Sequence, residues 1–111
     1  MFDMFKILGK VGEVKEKMAE VKEKLKTIVL EEPELGGVVK ITITADRTIK
    51  KISIAPEFYD KYSPEEREHI LTETLNNAIA KADARKKEVT QDEMRGVIPN
   101  IPGLDLSSLG F

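Results

Sequence analysis

Hydrophobic residues in the first quarter of the chain recur with strict 3-4 spacing: Met4, Ile7, Val11, Val14, Met18, Val21, Leu25 and Ile28. Met4, Val11, Met18 and Leu25 fill the a positions of a heptad, and Ile7, Val14, Val21 and Ile28 the d positions. This pattern predicts one long amphipathic helix over about residues 2–26. The charges beside the stripe are sorted by flank. Lys10, Lys17 and Lys24 occupy g positions, Lys15 and Lys22 occupy e, and Glu13, Glu16, Glu20 and Glu23 fall at c and f on the outer side. A parallel homodimeric zipper pairs unlike charges across e and g, whereas this one would set lysine against lysine. The helix therefore needs a partner other than a parallel copy of itself along its length. Glu13–Lys17 and Glu20–Lys24 are i,i+4 pairs in the favourable order, each worth roughly 0.2–0.5 kcal/mol. Gly9 and Gly12 each cost about 1 kcal/mol relative to alanine, so the first turns are expected to fray or bend.

The period then shortens. Thr27 to Leu30 is a short β-rich run that Pro33 is expected to close, and it reads as an edge strand. Gly36 and Gly37 open a clearer strand from Val38 to Ala45, with Val39, Ile41 and Ile43 on one face and Lys40, Thr42 and Thr44 on the other. Asp46, Arg47 and Thr48 form a tight turn, and Ile49 to Ala55 returns with Ile52 and Ile54 expected on the buried face. Pro56 ends the ladder. A meander with one apolar face must be covered by helices or by another sheet.

Ser63, Pro64, Glu65 and Glu66 form a capping box with proline at the first helical position. A second long helix is expected from there to about Met94, with Gly96 as its stop. Ile70, Leu71, Leu75, Ala78, Ile79, Ala82 and Val89 make its apolar line. Its bulky early turns are expected to pack on the sheet, and its alanine-rich turns to allow close approach by another helix. Residues 97–111 contain Pro99, Pro102, Gly103 and Gly110 without a period, and read as a flexible tail that is apolar for its kind. The expected organisation is a single α+β domain over residues 1–96 followed by that tail.

Composition narrows the chemistry more than the fold. The chain has 111 residues, a formal net charge of −2, no cysteine and one histidine. Disulfides and thiolate chemistry are excluded, in keeping with a reducing compartment. No apolar run approaches the roughly 18 residues of a membrane span, and Asp3 and Lys6 interrupt anything resembling a signal peptide. His69 stands among Glu65, Glu66 and Glu68 with no nucleophile or second metal ligand nearby in sequence, so it reads as a surface residue. No catalytic residues, metal site, cofactor or small-molecule substrate is evident, and the chain does not read as an enzyme. The acidic total argues against nucleic acid, yet the first 26 residues carry seven lysines against five carboxylates. From spacing alone these lysines are better explained as snorkelling beside a core stripe and keeping the helix soluble. The cluster Lys81, Arg85, Lys86 and Lys87, offset by Asp83, Glu88, Asp92 and Glu93, reads as a solvated helix face. Spacing by itself supports an elongated, helix-rich interaction protein.

Taken in order, the elements resemble a known family. A heptad-like Lys/Glu/Met helix leads to Gly-Gly-Val-Val-Lys-Ile-Thr-Ile at 36–43, then Ile49-Lys50-Lys51-Ile52-Ser53-Ile54-Ala55-Pro56. A capped helix with Leu75-Asn76-Asn77-Ala78 follows, and the tail ends in Leu109-Gly110-Phe111. This set is similar to the YbaB/EbfC family of small bacterial nucleoid-associated proteins. The resemblance implies an α-β-β-β-α protomer, with a three-stranded antiparallel sheet between two long helices, assembled as a tweezer-like homodimer that binds double-stranded DNA. It also implies a cytoplasmic, nucleoid-associated location. Two positions depart from the family: Ala55 stands where aspartate commonly precedes the proline, and the first helix alternates lysine and glutamate where the family is often Gln/Met-rich. On this reading Lys10, Lys15, Lys17, Lys22 and Lys24, helped by Arg85, Lys86 and Lys87, hold the phosphate backbone with weak sequence preference. The alternative is a protein-binding adaptor or chaperone-like module whose apolar seam grips partner helices.

Overall fold

The computed structural model of the protein describes residues 4–95 and residue 97, with side chains from Val11 onward. The element order is α1 (Met4–Thr27), β1 (Val29–Glu34), a 3₁₀ turn (Leu35–Gly37), β2 (Val39–Thr44), β3 (Ile49–Ile54), a short α2 (Glu57–Lys61) and α3 (Pro64–Met94). The α+β class and the three-stranded sheet between long helices are thus as expected. α2 was not foreseen: its five residues are too few for a period to register. Its one buried side chain, Phe58, meets Tyr62 with ring centroids 5.9 Å apart. Gly96 and the tail beyond Val97 lie outside the described residues. Among the described residues no helix is long and apolar enough to cross a membrane.

The sheet is an antiparallel meander in the order β1-β2-β3. The turn into β2 needs positive φ, and Gly36 at 68° and Gly37 at 99° supply it without the steric penalty that a Cβ would bring. Contrary to expectation, Pro33 does not close β1. The strand runs on to Glu34, with Pro33 opposite Lys40, because an outer strand leaves alternate backbone N–H groups outside the ladder, where proline lacks nothing. Between β2 and β3 the register slips after Thr42, pairing Ile43 with Ile49 and leaving Lys50 as the extra residue of a bulge.

Val39, Ile41 and Ile43 of β2 are fully buried, as the alternation required; Thr44, expected on the other face, is buried as well, its hydroxyl donating to Asp46 and to the Thr48 carbonyl at the turn. What covers them differs from the sequence reading. The alanine turns of α3, not its bulkier early turns, lie deepest on the sheet: Ala78 and Ala82 are fully buried with Ile41 and Ile43, while Leu75 and Ile79 pack at the margin. Small side chains let the helix backbone approach the strands. α3 lies mainly over β1 and β2. Ile52, expected to be buried, is therefore 45% exposed and Ile49 40% exposed, although both pair with buried residues of β2 and share their face. On the β1 side the cover is polar. Lys81 Nζ reaches Glu32 at 2.8 Å and the Glu31 carbonyl at 2.8 Å, and Asn77 donates to Glu34.

The capping box at Ser63 forms as the sequence requires: the Glu66 N–H donates to Ser63 Oγ and the Ser63 N–H to the Glu66 carboxylate, each at 3.1 Å. From there α3 runs 31 residues to Met94, well past the sheet. The C-terminal half of α1 packs against that overhang. Val21 and Leu25, with Ala45 and Val89, form a second buried cluster flanked by Ile28. Burying two such aliphatic side chains contributes roughly 1.5–3 kcal/mol each. The result is an extended molecule, with a radius of gyration of 19.6 Å where a compact chain of this length would have about 13 Å.

Candidate nucleic-acid interface

Packing α1 on α3 through its a and d residues turns the two lysine flanks toward different surroundings. On the g flank, one carboxylate of α3 meets two amines. Glu93 pairs with Lys17 at 3.1 Å and with Lys24 in a closer contact. Lys17 is also 3.4 Å from Glu20, one turn along its own helix. Lys24 and then Lys17 hold the Glu93 carboxyl below its usual range. Hydrogen bonding to Glu93 and Glu20 holds the Lys17 amine above its own. These two lysines tie the helices together.

The other flank opens on a cleft of about 380 Å³ where α1, α3 and the β2–β3 turn converge. Met18, Ala19 and Leu25 make its apolar side, and Lys22, Lys26, Arg47 and Lys86 bring four cations to it from three elements. Lys22 and Lys86 make no ion pair among the described residues, whereas Lys26 is 3.0 Å from Glu23 and Arg47 Nε is 3.2 Å from Asp83. Two carboxylates share the lining. Glu23 was expected on the outer side of the helix but reaches the cleft rim beside Lys26, because the hairpin turn extends the cleft around to that side. Asp46 is turned inward to the Thr44 hydroxyl, which, with Thr48, holds its carboxyl below the usual range. Arg47 sits at φ 69°, a left-handed conformation that costs a non-glycine residue roughly 1–2 kcal/mol. The turn carbonyls require it: the Arg47 N–H donates to the Thr44 carbonyl and the Thr44 N–H to the Thr48 carbonyl, both at 2.9 Å. Thr90 completes the wall, its buried hydroxyl without a hydrogen-bond partner.

Of the residues singled out in the sequence, Lys22 and Lys86 are brought to one cleft, with Lys15 exposed one heptad before Lys22 on the same flank. Lys87 is exposed and makes no ion pair among the described residues. Lys17 and Lys24 are set against Glu93, and Arg85 is 2.9 Å from Glu88 on its own helix. The Lys10 side chain lies outside the described residues. Sequence reasoning passed over Arg47 and Lys26. Lys26 occupies a b position, which a heptad assigns to the back, and Arg47 joins the helices only through the fold of the hairpin. No linear spacing carries that signal. His69 is exposed and 3.3 Å from Glu73, remote in the chain from the α1–α3 junction.

Comparison with known proteins agrees with this architecture. The model of the YbaB/EbfC DNA-binding family matches residues 1–97. The chain is 34% identical to a nucleoid-associated protein of Flavobacterium johnsoniae, over 93% of this chain and 95% of that protein. It is 30% identical to a nucleoid-associated protein of Dictyoglomus turgidum, over 92% and 94% respectively. An uncharacterized Helicobacter pylori protein of known crystal structure shares the fold, with a TM-score of 0.73 at 16% identity, covering 85% of this chain and 99% of that one. A long-helix, three-strand, long-helix protomer with a cationic cleft is thus found in a chain that belongs to the YbaB/EbfC DNA-binding family.

Proposed function

We propose that the protein is a nucleoid-associated, cytoplasmic homodimer that grips double-stranded DNA through backbone phosphates. Its role is binding rather than catalysis. The observation that carries this reading is the pair of amines without an ion pair among the described residues, Lys22 on α1 and Lys86 on α3, lining one cleft in a chain whose total charge is negative. Lys15 and Lys87 extend the cationic surface. Lys10 belongs to the same set, while Lys17 and Lys24, held by Glu93, and Arg85, held by Glu88, are its weaker members and contribute less to the grip. Phosphate contacts of this kind position a duplex without reading its sequence.

Dimerisation is supported by the uncovered side of β3. Ile49 and Ile52 are exposed in the single chain and lie on a strand whose outer edge is open. β1, the opposite edge, carries Pro33 and three glutamates, which blunt it against pairing. A second copy seated on β3 doubles the number of arms and of phosphates reached. The adaptor alternative is less well served, because this chain's own α3 already occupies the seam at Val21 and Leu25.

A mobility shift with duplex DNA at two salt concentrations tests the reading. The logarithm of affinity is expected to fall with the logarithm of salt, with a slope of about −0.9 for each phosphate neutralised. Removing both Lys22 and Lys86 should weaken binding on the order of tenfold, alike for unrelated sequences, and flatten that slope. Absence of binding at low salt refutes the proposal.

A further inference from the structure

We propose that the cleft between α1, α3 and the β2–β3 turn binds a phosphorylated small molecule of nucleotide size. Its phosphate lies between Lys22 and Lys86 and its nonpolar part against Met18 and Ala19. This goes beyond the DNA reading and does not rest on it.

Shape separates the two ligands. A duplex is a convex cylinder with phosphates along its outside, so it meets the rim amines of a cleft between helices without filling the interior. At about 380 Å³ the interior falls in the range of small-molecule sites, roughly 300–1,000 Å³. Charge fixes the sign of the occupant. Four cations face two carboxylates, of which Glu23 is engaged by Lys26 and Asp46 by Thr44. Among the described residues Lys22 and Lys86 have no acidic partner, and Lys ammonium groups bind phosphate as point charges. The apolar side fixes the rest: inorganic phosphate would leave Met18 and Ala19 unmatched, whereas an organic phosphate covers them.

One further observation points the same way. Arg47 holds a backbone conformation suited to glycine while bringing its guanidinium to the cleft.

The test is calorimetric titration of the full chain with adenosine monophosphate, adenosine and inorganic phosphate. Adenosine monophosphate is expected to bind at least about tenfold more tightly than either of its parts, a difference of about 1.4 kcal/mol. Lys22→Ala and Lys86→Ala should each weaken it several-fold, while Lys61→Ala, remote from the cleft, should not. Arg47→Gly keeps the test independent of folding. Glycine takes the same φ freely, so the thermal midpoint should hold or rise while nucleotide affinity falls. No heat with adenosine monophosphate, equal affinity for inorganic phosphate, or an equal loss in Lys61→Ala each overturns the proposal. Mobility shifts on the same preparations separate the two readings. Nucleotide binding without duplex binding refutes only the DNA reading, and duplex binding without nucleotide binding refutes only the cleft.

Discussion

Lys17 and Lys24 on one flank of α1, and Lys15 and Lys22 on the other, share a helix, a residue type and a heptad relation to the same apolar seam. Their surroundings divide them. The first pair closes on Glu93 and fastens α1 to α3, whereas Lys22 faces an open cleft with Lys86 across it and Lys15 stands exposed on the same side. One acidic residue at the right turn of α3 turns a row of cations into an internal strut. A lysine row therefore defines a candidate surface, and the opposing helix decides which of its members are available. Net charge, which here is negative, is a poor guide to either flank.

The largest expected effect comes from removing the packing that creates the two flanks. Leu25 is 2% exposed in the cluster with Val21, Ala45 and Val89, so Leu25→Ala should cost about 2–5 kcal/mol, read as a lower denaturation midpoint. With the arm loosened, the difference between the two lysine rows should shrink. Next is Glu93→Gln, which releases Lys17 and Lys24 without emptying the site. Duplex affinity at low salt should rise roughly threefold as two cations become available, with a steeper salt dependence. A fall in affinity would mean that the strut itself presents the DNA-binding surface. The smallest effect is on pH dependence. Lysine partners lower the Glu93 carboxyl in the folded state, so its contribution to stability is fully present above the ordinary glutamate range and is lost as pH falls through the depressed folded value. Thermal midpoints of the parent and Glu93→Gln should therefore differ near neutrality and converge in acid.

Much of this architecture was legible in the chain because its signals are local. The heptad gave α1, the capping box at Ser63 gave the start of α3, and alternation gave the buried row of β2. The misreadings arose where a distant element decides the outcome. Ile52 alternates like a core residue, yet α3 lies over the other strands. Alanines look like a helix–helix face, yet they bring α3 down onto the sheet. The candidate site divides the same way. Lys22 and Lys86 could be named from charge and spacing, but Arg47 enters only through the hairpin, and Glu93 was read as a neutralising neighbour of α3 rather than the partner of two lysines on α1.

On the proposed reading the two lysine rows of α1 have different tasks, and the salt dependence of duplex binding measures that division most directly. Replacing Lys15 and Lys22 together by alanine should flatten the slope by about one for each phosphate no longer neutralised and leave the thermal midpoint nearly unchanged. Replacing Lys17 and Lys24 together should lower the midpoint and alter the slope far less. Equal flattening by both pairs, or the larger flattening from Lys17 and Lys24, would contradict the division of labour.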